Sequence, residues 1–218
     1  MPVRVRLSLR TLYADMPEQE DGLHSDCSAK ASGFESRYPH NENIVEKESI
    51  SMEEQMKSPT YGEVPIERVA KLILEFFERT REHETAFEIT IGTDSQNYDD
   101  TKVVQAIAAV SHGHGGIYFY EVQHIDRLND VRVKLNYETG QSLELANKLL
   151  DVIEGQSRFE EMYLKSRFVI HVDAGMSEHG KTKDLIPGIV GWVKACGYDV
   201  EIKPGSYTAS HIADRISK

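Results

Sequence analysis

The chain predicts an α/β fold, a mixed five-stranded sheet flanked by helices with one further helix ahead of it. Three observations carry this. First, two β-branched runs, Ile89-Thr90-Ile91-Gly92-Thr93-Asp94-Ser95-Gln96 and Phe168-Val169-Ile170-His171-Val172-Asp173, each arrive at a carboxylate. Second, two more apolar runs follow the first after short joins, which makes strands one to three an antiparallel meander. Third, helical periods separate the later runs, and crossovers of that kind are right-handed and return the chain in its original direction. Strands one, four and five are therefore parallel, and the order is βββαβαβα after an N-terminal helix.

Taken in order, residues 13 to about 57 are rich in Glu, Asp, Ser, Asn and Gly and poor in aliphatics. They read as a disordered or loosely ordered arm, so the division is 1–57 and 58–218. Met1 to Leu12 carry Arg4, Arg6 and Arg10 and no acid, a pattern that mimics a transit peptide. Acids from Asp15 onward favour a plain arm. Pro65 opens a helix in which Val69, Leu72, Ile73, Phe76 and Phe77 recur at helical spacing, ending near Arg81. Strands are expected at Ala86–Gly92, Lys102–Ser111 and Ile117–Ile125, the last two joined by the hairpin glycines of His112-Gly113-His114-Gly115-Gly116. A helix from about Asn136 to Glu154 follows, then a strand at Arg167–Asp173 and a helix from about Lys183 to Ala195 closed by Gly197. Val200–Lys203 is the last strand, and Pro204-Gly205 precede a short helix at Ala209–Ser217.

Composition narrows the function classes. Formal net charge is −11, which argues against a whole-surface electrostatic grip on nucleic acid. It leaves room for an acidic metal cluster that meets phosphate through its cations. No apolar run approaches a membrane span. Cys27 and Cys196 lie far apart without metal-ligand spacing, as expected of a reduced, cytoplasmic setting.

The chemistry concentrates in carboxylates. If strands one and four are neighbours and parallel, Asp94 and Asp173 leave the sheet at one edge, and two acids held that close repel unless a cation lies between them. A third ligand is expected from the helix between them. Glu138 lies about 60° from the centre of its apolar face at ~100° per residue, whereas Glu144 points to solvent. Glu138 is also placed in the helix's first turn. In the last helix Ala209, Ile212, Ala213 and Ile216 form a stripe that Asp214 faces away from, so Asp214 reaches the site only if that helix approaches end-on. His112 and His114 read as an exposed turn.

Three blocks resemble the YkuK-type family of ribonuclease H-like proteins. They are Ile91-Gly92-Thr93-Asp94-Ser95-Gln96, then His171-Val172-Asp173-Ala174-Gly175, then Lys203-Pro204-Gly205-Ser206-Tyr207 running into Ala209-Ser210-His211-Ile212-Ala213-Asp214. The resemblance covers roughly Ser58 to Lys218. It implies a ribonuclease H-like fold and a nuclease acting on DNA or RNA. It also implies acids at the end of the first strand, in the first helix, at the fourth strand and in the last helix, positions held here by Asp94, Glu138, Asp173 and Asp214. Two Mg²⁺ or Mn²⁺ ions, about 3.5–4 Å apart, would clamp the scissile phosphate. Lys203 and His211 are candidate phosphate contacts.

A rival motif lies between a strand and a helix. Gly175 to Thr182 fits the phosphate-loop pattern GxxxxGK[ST]. No later strand ends in the Asp such a domain needs, and the upstream meander is not a nucleotide-binding sheet. The stretch is better read as a glycine-rich turn near the crevice, or as one whose N–H groups or Lys181 touch a substrate phosphate. The function classes are thus a metal-dependent nuclease, a catalytically idle domain binding nucleic acid or protein, and a nucleotide binder. Calorimetry with ATP–Mg²⁺ on wild type and Lys181→Ala separates the last from the others. Neither protein is expected to bind ATP at micromolar concentration. Micromolar binding that vanishes in the variant would make this a nucleotide-binding protein first.

Overall fold

The computed structural model describes residues 55–83, 85–175, 183–206 and 208–217. Its sheet has seven strands: β1 (Gln55–Ser58), β2 (Gly62–Pro65), β3 (Phe87–Asn97), β4 (Thr101–Ser111), β5 (Gly115–Ile125), β6 (Ser166–Gly175) and β7 (Asp199–Lys203). Their spatial order is β2-β1-β5-β4-β3-β6-β7. The helices are α1 (Ile66–Thr80), α2 (Val131–Ile153), α3 (Glu160–Lys165), α4 (Ile186–Ala195) and α5 (Thr208–Ser217). No described helix is long and apolar enough to cross a membrane.

The five expected strands are present with the expected directions. β3, β4 and β5 form an antiparallel meander, and β3, β6 and β7 are parallel. Two strands are added at the β5 edge. β1 and β2 form a hairpin, and Lys57 of β1 pairs with Tyr120 of β5. β1 contains the expected boundary at Ser58, so ordered structure reaches back at least to Gln55. Its alternation is exposed-buried-exposed-buried, with Met56 only 2% exposed. So short a period is hard to see ahead of a Pro-Thr-Tyr-Gly turn. The remainder of the proposed arm, to residue 54, lies outside the described residues.

Helix limits shift for local reasons. α2 begins at Val131, five residues before the expected start, because the Asp130 side chain caps it by accepting from the backbone N–H groups of Arg132 and Val133 at 2.8 and 3.0 Å. Glu138 therefore lies about two turns in, not in the first turn. α4 ends as expected, with Gly197 at a φ of 85°.

The sheet divides two cores of unequal size. On one face, Ile89, Ile91, Ile107, Phe119, Phe168 and Ile170 pack with Val69, Leu72, Ile73 and Phe76 of α1 and Leu143, Ala146, Leu149 and Leu150 of α2. Each fully buried side chain of this size contributes about 1.5–3 kcal/mol relative to exposure. On the other face, among the described residues, Val104, Ala106, Tyr120 and Val122 pack against Ile212, Ala213 and Ile216 of α5. Because successive side chains of a strand point to opposite faces, Thr93 and Ser95 of β3 turn toward α2, and Gly92 and Asp94 toward α5.

Replacing Met56 with Ala tests whether the added hairpin belongs to the core. The expected loss is about 2–5 kcal/mol by urea denaturation. A loss below about 0.5 kcal/mol would show that β1 contributes nothing to the folded unit.

Candidate metal centre

Parallel pairing of β3 with β6 runs from Phe87 opposite Ser166 to Gly92 opposite His171, and there it stops. β3 continues to Asn97 against β4 alone, so Asp94 is inside a strand and not beyond its end. The same register carried two residues further sets Asp94 opposite Asp173, at the point where the two strands part. Asp173 lies in a register break between the pairs Val172–Ile202 and Gly175–Lys203. A bulge of this kind re-aims a side chain at a strand's end.

Each carboxylate has an internal partner. Ser217 at the end of α5 donates its hydroxyl to Asp94 Oδ2 at 2.6 Å, and Asp94 lies buried over Val104, its cross-strand neighbour. Burial raises the Asp94 carboxyl above the usual range, and the charges of Asp173 and Asp214 add to that. The Ser217 hydrogen bond and the Lys134 charge oppose it. On the α2 side, Ser95 donates to Glu138 Oε1 at 2.7 Å, and Lys134, one turn earlier, has its ammonium 3.6 Å from the same oxygen. The Lys134 ammonium also donates to the Ser95 carbonyl. Burial pushes Glu138 up to about 7 against the pull of Lys134 and Ser95, with Asp94 and Asp173 raising it further. Lys203 Nζ donates to Asp173 Oδ1 at 2.6 Å.

The four candidate acids thus share one electrostatic neighbourhood, with two lysines, Lys134 and Lys203, inside it among the described residues. Asp214 acts on both Asp94 and Lys203 from α5, although it is not on that helix's packed stripe. Glu144 is exposed and pairs with Lys148 at 3.2 Å. His211 is exposed on α5, and Lys181 lies outside the described residues, as does the 176–182 part of the phosphate-loop pattern. His114 stacks on His83 with ring centroids 3.8 Å apart. Among the described residues, no three His, Cys, Asp or Glu side chains stand close enough to hold one ion together. The reason is visible in the strand alternation: Asp94 is on the α5 face of β3, whereas Glu138 meets the α2 face through Ser95. The donor chemistry is nonetheless all oxygen, which hard divalent cations prefer.

Several residues outside the expected ligand set hold this arrangement. His171 is buried, and its Nδ1 accepts from the Ala209 N–H at 3.2 Å, which ties the start of α5 to β6. Among the described residues Nε2 has no hydrogen-bond partner, Glu201 Oε2 being 3.7 Å away, and burial lowers the imidazole to about 4. Ser206 donates to the Val172 carbonyl at 3.0 Å. Lys134 is detectable only in retrospect, four residues before Glu138.

The shifted Glu138 makes metal-free stability depend on pH. Between about 4.5 and 7 the folded protein holds a proton there that the unfolded chain has released, so stability falls as pH rises through that window. In EDTA, wild type is expected to lose roughly 2–3 kcal/mol from this group between pH 4.5 and 7.5, and Glu138→Gln to lack that loss. Denaturant melts that give identical pH profiles for the two proteins would exclude it.

Comparisons with known proteins bear on the fold and family. A family model described as Ribonuclease H-like matches residues 68–218. Over 141 residues the chain is 33% identical to an uncharacterized protein, YkuK, of Bacillus subtilis (strain 168), an alignment covering 62% of this chain and 81% of that one. A solved structure of the Mos1 transposase catalytic domain and Raltegravir with Mg aligns over 62% of this chain and 58% of that one, at 10% identity and a TM-score of 0.25, too low to carry an inference. On the family match and the YkuK identity, the chain belongs to the ribonuclease H-like family.

Proposed function

We propose that this protein is a divalent-metal-dependent nuclease that hydrolyses phosphodiester bonds in nucleic acid. The observation that supports the reading is that the β3–β6 pairing ends at Gly92 and His171, two residues before Asp94 and Asp173, whose charges act on each other and on Glu138, with Asp214 acting on Asp94. Asp94 and Asp173 would hold the ion, with Glu138 and Asp214 completing the set. Mg²⁺ or Mn²⁺ bound there would polarise a phosphate and lower the pKa of a water.

The chain's own residues do the rest. Ser217 and Ser95 fix the orientation of Asp94 and Glu138, so the carboxylates lose little freedom when a ligand arrives. The apolar wall of Val104, Ala106 and Ala213 keeps water from one side of Asp94 and strengthens every charge interaction there. Burial raises Glu138 to about 7 in the metal-free protein, and an ion bound there would hold it deprotonated, so metal uptake would release a proton near neutral pH.

The dispersed side-chain arrangement favours one second reading, a catalytically idle domain that binds nucleic acid or protein through the same crevice. Asp94→Asn and Asp173→Asn discriminate. Each is expected to remove Mn²⁺ binding by calorimetry and Mg²⁺-dependent cleavage of labelled DNA, RNA or hybrid. Asp94→Asn should leave metal-free stability equal or higher, since it relieves a buried like-charge interaction. Unchanged Mn²⁺ affinity in both variants would remove the metal reading. Metal binding without cleavage of any substrate would favour the idle domain.

A further inference from the structure

The two lysines among the carboxylates are held in different ways. The Lys134 ammonium is fastened on two sides, to the Ser95 carbonyl and beside Glu138, and its side chain is 30% exposed. Lys203 is the last residue of β7, and its side chain is 57% exposed. Its ammonium donates at 2.6 Å to Asp173, a carboxylate only 17% exposed. Asp94 and Asp214 act on the same ammonium. Lys203 therefore neutralises the carboxylate that the proposed reaction needs for a divalent ion, and it does so from a flexible stem on the solvent side. An ammonium at contact distance from Asp173 repels a doubly charged cation on the same carboxylate, so each weakens the other's hold there. The charge that is displaced remains at the rim of the site. A lysine there is a compact charge with three donors, suited to phosphate. On a chain of net charge −11, a cation at that rim counts for more than it would on a basic surface.

We propose that Lys203 is an exchangeable counter-cation. It pairs with Asp173 in the metal-free protein and moves to a phosphate of a nucleic-acid strand once a divalent ion takes Asp173. Binding is then ordered, cation first and nucleic acid second. This rests on the metal-dependent reading above but does not require cleavage. It goes further than a phosphate contact, because the same residue opposes one ligand and assists the other.

The two roles give opposite signs, which a merely structural ion pair cannot. Full-length Lys203→Gln is compared with wild type in Mn²⁺ calorimetry and in fluorescence anisotropy with a short labelled single-stranded oligonucleotide in Ca²⁺. Mn²⁺ is expected to bind roughly three- to fivefold more tightly to the variant, the scale of one partly exposed ion pair. The oligonucleotide is expected to bind more weakly, with the slope of log affinity against log salt smaller in magnitude by about 0.7, one phosphate contact on a single strand. Lys203→Arg keeps the charge, so it should retain the wild-type salt slope and bind Mn²⁺ no more tightly than wild type. Weakening of both ligands in Lys203→Gln, or no change in either, overturns the proposal while leaving the nuclease reading to its own cleavage assay. Opposite shifts in a protein that cleaves nothing support the exchange and sink the nuclease. A wild type that binds no Mn²⁺ overturns both.

Discussion

The arrangement depends on where one parallel pairing ends. β3 and β6 share a ladder for six residue pairs and then separate, and the two carboxylates stand one side-chain period beyond the last pair. A ladder that ran two residues further would pin Asp173 into regular sheet. A shift of one residue would send Asp94 to the α2 face, among the side chains of the larger core. The separation is maintained from both sides: β4 retains β3 to Asn97, while β7 follows β6 through a bulge.

The charges near that point follow from it. Burying acids in company is unfavourable unless something offsets the repulsion. Here the offset is distributed between hydroxyls and lysines. Ser217 and Ser95 bind particular oxygens, while Lys134 and Lys203 supply charge. At the start of the parallel strands the compensation is different. Arg167 alone reaches Glu88, Asp199 and Glu201 across three strands. The acids there share one guanidinium, whereas Asp173 and Glu138 at the other end meet separate lysines.

Much of this was legible in the residues. The β-branched runs and helical crossovers were enough to place Asp94 near Asp173, because direction and adjacency follow from connection type. The spacing of Leu143, Ala146, Leu149 and Leu150 located Glu138 on the packed side of α2 and Glu144 outside. The hairpin at Gln55–Pro65 was not legible, since four-residue strands beside a proline give too short a period. Nor was the α2 start, which Asp130 sets through two backbone hydrogen bonds while the apolar pattern begins only at Leu135. Asp214 could not be placed by periodicity, because its approach depends on how α5 is fastened and not on which stripe it packs.

That fastening is bipolar. At its first turn, α5 is held to β6 through Ala209 and His171. At its last, Lys102 of β4 donates to the Ile216 carbonyl at 2.6 Å, Tyr98 donates to the Ser217 carbonyl at 3.4 Å, and Ser217 reaches Asp94 on β3. Its apolar contact is small beside the opposite core, so these end contacts carry much of its attachment. Undocking would carry Asp214 away and strip Asp94 of its hydroxyl partner in a single step. The placing of Asp214 beside Asp94 is thereby tied to the docking of ten residues, and hydrogen-exchange protection of those amides would report on it.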